Sequence, residues 1–314
     1  PAGGSPPSRL GVAHNQPPSH PLHARLAEVA AAVHAASGGE VAVQIFPANQ
    51  LGSDLDLLRQ VRAGAIDVIA LSGLILSALT PAAAVSGMPF AFHDADAVWA
   101  ALDGDLGALV RREIAGTGLF AFDRIWDNGF RQISSTHRPI ETVDDLRGFR
   151  IRVPVSRLWT SLFSSLGAAP SSLPFAEVYT ALQTGAVDGQ ENALGVIQAA
   201  RLAEVQRHCA LTNHLWDGLW CLANQGRWAA LPDAVRTLVR DQMDAGAVRQ
   251  RADVAALNRR TRDALAAAGM RFTQPASEPF RRRLREAGFY RTWQRRLGDE
   301  AWDTLGRATG GGLA

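Results

Sequence analysis

Not one lysine occurs among the 314 residues, so all 32 basic side chains are arginines. That excludes a Schiff-base lysine and a phosphate-loop lysine, since both chemistries need an ammonium group. It also leaves the eight histidines as the basic side chains able to exchange a proton near neutrality. Excess charge of either sign is missing too. The 32 basic and 30 acidic residues leave a net charge of +2, which gives no reason to expect nucleic acid as a partner. Cysteine is limited to Cys209 and Cys221, too few for a four-cysteine zinc site or an iron–sulfur cluster. The two can form one disulfide in an oxidising compartment or sit buried as small hydrophobes. The opening Pro1-Ala2-Gly3-Gly4-Ser5-Pro6-Pro7 lacks a charged n-region and an apolar h-region. It is not a signal peptide and reads as the ragged start of a mature protein whose signal was removed. The 25 uncharged residues from Val68 to Phe92 match a bilayer in length, but Gly73, Thr80, Pro81, Gly87 and Pro89 punctuate them. They read as a buried strand followed by apolar loop and short helix, in a soluble chain.

Hydrophobic residues, by contrast, make up 47% of the chain and charged ones 20%, enough for a sizeable core. The length suggests two domains or one large α/β domain. Strand and helix alternate. Arg9 to Ala13 reads as a strand, and Leu22, Leu26, Val29 and Val33 place a helix over 22–36 that ends at Gly38-Gly39. Val41 to Phe46 is a strand, Ser53 caps a helix to about Ala63, and Ile66 to Leu71 is a continuous apolar strand. Further strands are read at 119–127, 131–135, 149–153, 207–212 and 219–224, with helices at 156–166 and 176–184. Such alternation predicts a parallel sheet covered on both faces. From Leu231-Pro232-Asp233 to Ala268 no proline intervenes, which predicts one helix over 50 Å long, longer than a small domain. Two arginine-rich helices, from Pro279 and from Asp299, follow. Gly310-Gly311-Gly312 reads as a frayed tail.

No nucleophile elbow, dinucleotide-binding glycine motif or HExxH is present. His14, His20 and His23 are close in sequence, but loop histidines bonded to backbone or lining a polar cleft are commoner than a metal site, and none is expected. The arginines between Arg249 and Arg285 are interspersed with acids and lack an aromatic ladder, so they read as a solvated helix face. More specific is Gly148-Phe149-Arg150-Ile151-Arg152-Val153-Pro154. Alternation puts Ile151 and Val153 on one face of a strand, and Arg150 and Arg152 on the other. An arginine at the carboxyl end of a sheet strand sits where α/β ligand clefts open, and its planar fork can grip a carboxylate. An internal salt bridge is the equal alternative.

Several blocks then follow one family's order: Gln50-Leu51-Gly52, Asn128-Gly129-Phe130-Arg131-Gln132, Asp145 to Pro154, Pro174-Phe175-Ala176-Glu177-Val178-Tyr179 to Gly185, and Val187-Asp188-Gly189-Gln190-Glu191-Asn192. From about residue 8 to about 300 the chain resembles a substrate-binding protein of the tripartite ATP-independent periplasmic (TRAP) transporters. The resemblance implies an α/β, two-lobed periplasmic-binding-protein-like architecture. Each lobe would be a mainly parallel sheet flanked by helices, with the long helix spanning both. Lobe I would take 1–129 and 218–257, lobe II 130–217 and 258–290, and 291–314 would form C-terminal helices and a tail. It further implies a periplasmic monomer that uses no cofactor, binds a small-molecule carboxylate and delivers it to TRAP membrane permease subunits. Residue by residue, Arg152 would hold the carboxylate, Asn192 support it and Arg131 add a second positive contact. Phe175 would be an apolar wall, and Trp216 falls in a pocket-lining region. Leu71 and Ser72 would meet the distal part of the ligand, with His14, His20 and Asn15 available to its hydroxyls.

Two departures stand out. Ala193 follows the Gln-Glu-Asn where proline is frequent, and Ser72 stands near where relatives that bind polyhydroxylated acids carry a carboxylate. The second leans toward a small hydroxy or keto acid, or an aromatic acid, over a large sugar acid. Asp217 keeps a co-bound cation open. A ligand sensor for a receptor kinase needs the same cleft. An enzyme acting on a carboxylic acid is disfavoured, because no motif sets an acid/base pair or activated nucleophile beside Arg152. Glu177 and Glu191 are better read as structural.

Overall fold

The computed structural model describes residues 8–313, so the expectation for Pro1–Pro7 lies outside the described residues. Eleven strands form one sheet: β1 Ser8–Ala13, β2 Val41–Phe46, β3 Val68–Ser72, β4 Leu119–Ala121, β5 Trp126–Ser135, β6 Arg150–Val153, β7 Ala169–Ser172, β8 Gly189–Ala193, β9 His208–Ala210, β10 Trp216–Asn224 and β11 Arg271–Thr273. Its spine runs β2-β1-β3-β10-β5-β8-β6-β7. The β2-β1-β3 end and the β8-β6-β7 end are parallel, as the alternation of strand and helix predicts. Between them β10 and β5 run antiparallel to their neighbours, which the pattern of short apolar runs does not reveal. The strand expected at 119–127 is broken into β4 and the start of β5, and β5 runs on without interruption through the strand expected at 131–135. It pairs with β10 through Trp126–Phe130 and with β8 through Arg131–Ser135, passing from one end of the sheet to the other. Gly129, at φ +107°, and a shift in register at Asp217/Gly218 mark that crossing.

Ser53 caps the helix Asp54–Ala63 with a reciprocal bond from Asp56, and His20 caps Pro21–Ala36. The helix Asp233–Ala267 has 35 residues, ~52 Å at 1.5 Å each, and packs on the helix Pro21–Ala36, on β5 and on the helix Leu194–Ala199. Gly246 lets it approach closely, since a Cβ there would stand 2.7 Å from Val29 Cγ2. Gln250 reads β5 directly, accepting from the Asp127 amide (2.8 Å) and donating to the Asp127 carbonyl (2.7 Å). The expectation of a solvated arginine face fails at Arg251, which is buried over Trp99 and paired with Asp103 at 2.8 Å.

The uncharged run from Val68 folds as β3, the short helix Gly73–Leu76 and the 3₁₀ turn Pro81–Gly87, all buried. No helix among the described residues is long and apolar enough to cross a membrane. Three helices rather than two close the chain, Ser277–Glu286, Phe289–Leu297 and Asp299–Thr309, separated by Gly288 and Gly298 at positive φ. The tail is not frayed as far as it is described. Leu313 packs into the core, and Arg281 Nη2 donates to the Gly312 carbonyl at 3.1 Å. Cys209 and Cys221 are free and buried in different clusters, and burial raises both thiol pKa values, that of Cys209 to about 12.

Candidate functional site

A cleft of about 30 Å³ lies where the two ends of the sheet face each other across β5. From one side come Asn15 and Gln16 after β1, Asp54 at its helix start, and Ser72 and Ile75 after β3. From the other come Arg152 of β6 and Pro154 just after it, Trp159, Phe175 and Asn192 of β8, with Asn128, Arg131, Asp217 and Leu219 forming the floor. Strand ends deliver these groups because side chains at the carboxyl ends of parallel strands project into the space between their covering helices.

The two floor and wall arginines are electrically opposite cases. Arg131 is buried and fully matched: Nε donates to Glu191 Oε2 (2.7 Å), Nη2 to Glu191 Oε1 (2.5 Å), and Nη1 to Asp217 Oδ2 (3.0 Å). The network continues outward. His214 Nε2 meets Glu191 at 2.8 Å, while Ser72 Oγ (2.6 Å) and Asn128 Nδ2 (3.0 Å) donate to Asp217. Burial pushes Glu191 up, but Arg131 and His214 pull harder and hold it at about 2. Arg152 is also buried, at 2% exposure, yet among the described residues it forms no ion pair. Its Nε and Nη2 both donate to the Leu173 carbonyl, at 2.9 and 2.7 Å. Burial, reinforced by Arg131, lowers its pKa to about 9. Arg150, on the same face of the strand but nearer its start, is exposed and paired with Asp188 at 2.6 Å. The salt-bridge alternative thus describes Arg150 and not Arg152.

Opposite Arg152 the wall carries acceptors. Gln16 Oε1 and Asp54 Oδ1, with Asn128 Oδ1 on the adjoining floor, are buried without a hydrogen-bond partner among the described residues, an arrangement that disfavours itself unless a donor is supplied. Asp54 takes one bond from Asn15 Nδ2 (3.1 Å) through its other oxygen, and burial raises its pKa. The wall facing Arg152 is therefore polar, although Ser72 itself carries no charge.

Of the ten residues singled out from sequence, the cleft gathers Arg152, Asn192, Arg131, Phe175, Ser72 and Asn15. Four lie elsewhere. Leu71 and Trp216 alternate with the lining residues Ser72 and Asp217 and so face the core. Trp216 donates to Asp127 Oδ1 (3.0 Å) and meets Trp99 edge-on at 5.5 Å. His20 accepts the Leu22 amide through Nδ1 as a helix cap, and His14 packs on His23 with a 3.2 Å contact. Among the described residues no cluster of three histidine, cysteine, aspartate or glutamate side chains is placed to hold a metal. Asp217, the residue that kept a cation open, is engaged by Ser72, Asn128 and Arg131. Sequence reading missed Gln16, Asp54, Ile75, Asn128, Trp159 and Leu219. Only Asn128 carried a signal, as the first residue of the Asn-Gly-Phe-Arg block. Asp54 is indistinguishable locally from an ordinary acid in the first turn of a helix.

The two histidines set an acid limit. Burial holds His20 near 4, and burial with His23 and His20 nearby holds His14 near 3. The unfolded chain, with histidines near 6.5, then binds more protons than the folded one below neutrality. Their stabilising neutrality is complete above pH 6.5 and lost as pH falls through 4 and 3. His20→Asn keeps a capping oxygen and removes one titrating ring. Its urea midpoint is expected to drop less than the parent's between pH 7.5 and 4.5, and an equal drop would show that His20 does not titrate on unfolding.

Comparison with known proteins gives a consistent picture. A family model described as bacterial extracellular solute-binding protein, family 7, matches residues 12–290. The 2,3-diketo-L-gulonate-binding periplasmic protein YiaO of Escherichia coli is 32% identical over 209 residues, 66% of this chain and 63% of that protein. The first curated relatives are matched over 44 to 63% of their own length. The crystal structure of a TRAP periplasmic solute-binding protein from Roseobacter denitrificans with bound β-D-glucuronate superposes with a TM-score of 0.91 at 28% identity, covering 97% of this chain and all of that one. One from Sulfurospirillum deleyianum with bound succinate gives 0.90 at 26% identity, with the same coverage.

Proposed function

The chain belongs to the bacterial extracellular solute-binding proteins of family 7, and from that premise we propose that it captures a small hydroxylated organic acid in the cleft beneath Arg152 and hands it to a TRAP permease. Members of this family are substrate-binding proteins of transporters, not enzymes. One observation carries the reading: Arg152 is a buried guanidinium whose one hydrogen-bond acceptor among the described residues is the Leu173 carbonyl oxygen, with no carboxylate paired to it. A buried charge without a counter-charge is costly, and an anionic ligand supplies the missing half. Asn192, 3% exposed and lining the same cleft, is the neutral donor on that side, with Phe175 at 5.9 Å from the guanidinium as its apolar flank. Arg131 supports the site at one remove, by orienting Glu191 and Asp217, rather than by touching the carboxylate.

The choice of a hydroxy acid comes from the opposite wall. Hydroxyl groups bring the donors that Gln16, Asp54 and Asn128 lack, whereas a second carboxylate would stand against Asp54. The relatives' ligands include both kinds, β-D-glucuronate in one and succinate in another. Two lobes meeting at Gly129 and Asp217/Gly218, closing over the ligand in the periplasm, fit this role, and a monomer suffices for it. The test is a thermal-shift series of hydroxy acids, their deoxy counterparts and dicarboxylates. A ligand at a hundred times its dissociation constant stabilises by ~2.7 kcal/mol, roughly 4 °C for a chain of this length. Hydroxy acids are expected to shift the transition at lower concentration than the other two sets. Dicarboxylates performing equally well would sink the assignment of hydroxyls, and no shift with any acid would sink the carboxylate site.

A further inference from the structure

A second cavity, of about 190 Å³, adjoins the cleft and shares two of its walls, Asn15 and Phe175. Its remaining lining is mostly apolar and comes from both ends of the sheet: Pro17 and Ala48 from one, Ala176, Ala200 and Leu202 from the other. Its polar groups are few, and the Tyr179 hydroxyl is engaged with Glu204 at 2.7 Å. The backbone around it is unusual. Ala48 and Asn49, at φ +53° and +57°, are left-handed residues without the excuse of glycine, and so is Arg201, at +58°, between Ala200 and Leu202. Strained residues of this kind persist where a shaped surface requires them. Here they hold both rims of one chamber.

We propose that this chamber is a subsite for an apolar substituent on the acid, so that the preferred ligands are carboxylates bearing an aryl or branched alkyl group beyond their hydroxyls. This rests on the reading of Arg152 above: the carboxylate anchors in the inner cleft and the ligand passes between Asn15 and Phe175 into the chamber. An apolar cavity of ~150 Å³ accommodates benzene, so the volume suits a phenyl ring with little to spare. The wall chemistry rewards that choice, because a sugar chain would leave its hydroxyls against proline, alanine and leucine without partners.

Titration calorimetry with lactate and 3-phenyllactate tests the subsite, since the pair shares a carboxylate and a hydroxyl and differs in the ring. Burying the ring is expected to tighten binding roughly 10- to 100-fold. Ala200→Leu and Ala176→Leu, made separately, fill the chamber without touching the inner cleft. Each is expected to abolish most of that gain while leaving lactate binding within about twofold, which also reports that the variant is folded. Equal affinity of the two acids for the parent overturns the subsite alone. So does a phenyl advantage that survives both fillings. Failure of the parent to bind either acid overturns the carboxylate site, and the subsite with it.

Discussion

Arg152→Ala is expected to abolish acid binding at concentrations that saturate the parent. Truncating one partner of a buried, hydrogen-bonded charge pair costs ~2–5 kcal/mol, which is roughly 30- to several-thousand-fold in affinity. Arg152→Lys is expected to fall between, because the ammonium keeps the charge but loses the planar fork. Folding responds in the opposite sense. Burial has pulled the Arg152 pKa to about 9, so the folded chain holds that proton less tightly than the unfolded one and the charge weighs against the fold. Removing it should leave the unliganded transition temperature unchanged or higher. Calorimetric binding and thermal melting on the same samples check both halves. Undiminished affinity in Arg152→Ala would falsify the arginine clamp.

Glu191→Ala is expected to do the reverse, damaging the fold first. It strips Arg131 of its bidentate partner and leaves His214 Nε2 without an acceptor, at positions 3% exposed or less. Breaking a buried pair by removing one member costs ~3–5 kcal/mol, or roughly 5–8 °C in transition temperature for a chain of this length. The pH dependence follows from the depressed pKa of Glu191. Its contribution is complete above the unfolded value near 4.5 and disappears as pH falls toward 2. The gap in stability between parent and Glu191→Ala should therefore narrow across that range. A variant that melts like the parent at neutral pH would mean that Arg131 finds its counter-charge elsewhere. Two arginines of one cleft thus divide the labour, and their carboxylate partners tell them apart.

That distinction was not legible in the sequence, where both are arginines in quoted blocks. What was legible rests on periodicity and punctuation. The helix Asp233–Ala267 stood out because proline opens it and none interrupts it, and Ser53 announced the helix it caps. Strand β8 was invisible as a strand by apolar pattern, since Gly-Gln-Glu-Asn-Ala has a polar centre with no large apolar side chain and is yet fully buried. Its side chains are satisfied by partners far away in sequence: Ser134 for Gln190, Arg131 and His214 for Glu191. The resemblance marked this block as a motif but did not identify it as a strand. The same resemblance placed Leu71 and Trp216 one position off the cleft, because strand alternation was not applied around Ser72 and Asp217. Asp54 and Gln16 escaped for a different reason. The role proposed for them rests on bonds they do not make, and a count of missing partners exists only in three dimensions.

The place of β3 in the sheet also dictates the order in which a growing chain can finish its fold. Once residues 8 to 72 have emerged, β1, β2 and β3 can pair in parallel, but β3 then presents a fully apolar free edge. Its partner β10 is distant: Asp217, which accepts from Ser72 Oγ, lies 145 positions further along the chain. At ~5–20 residues per second that is roughly 7–30 s of exposure during synthesis, long enough for edge-to-edge association between neighbouring nascent chains. In a family of extracellular binding proteins, a sheet that cannot close until residue 224 arrives is expected to stay open through most of synthesis.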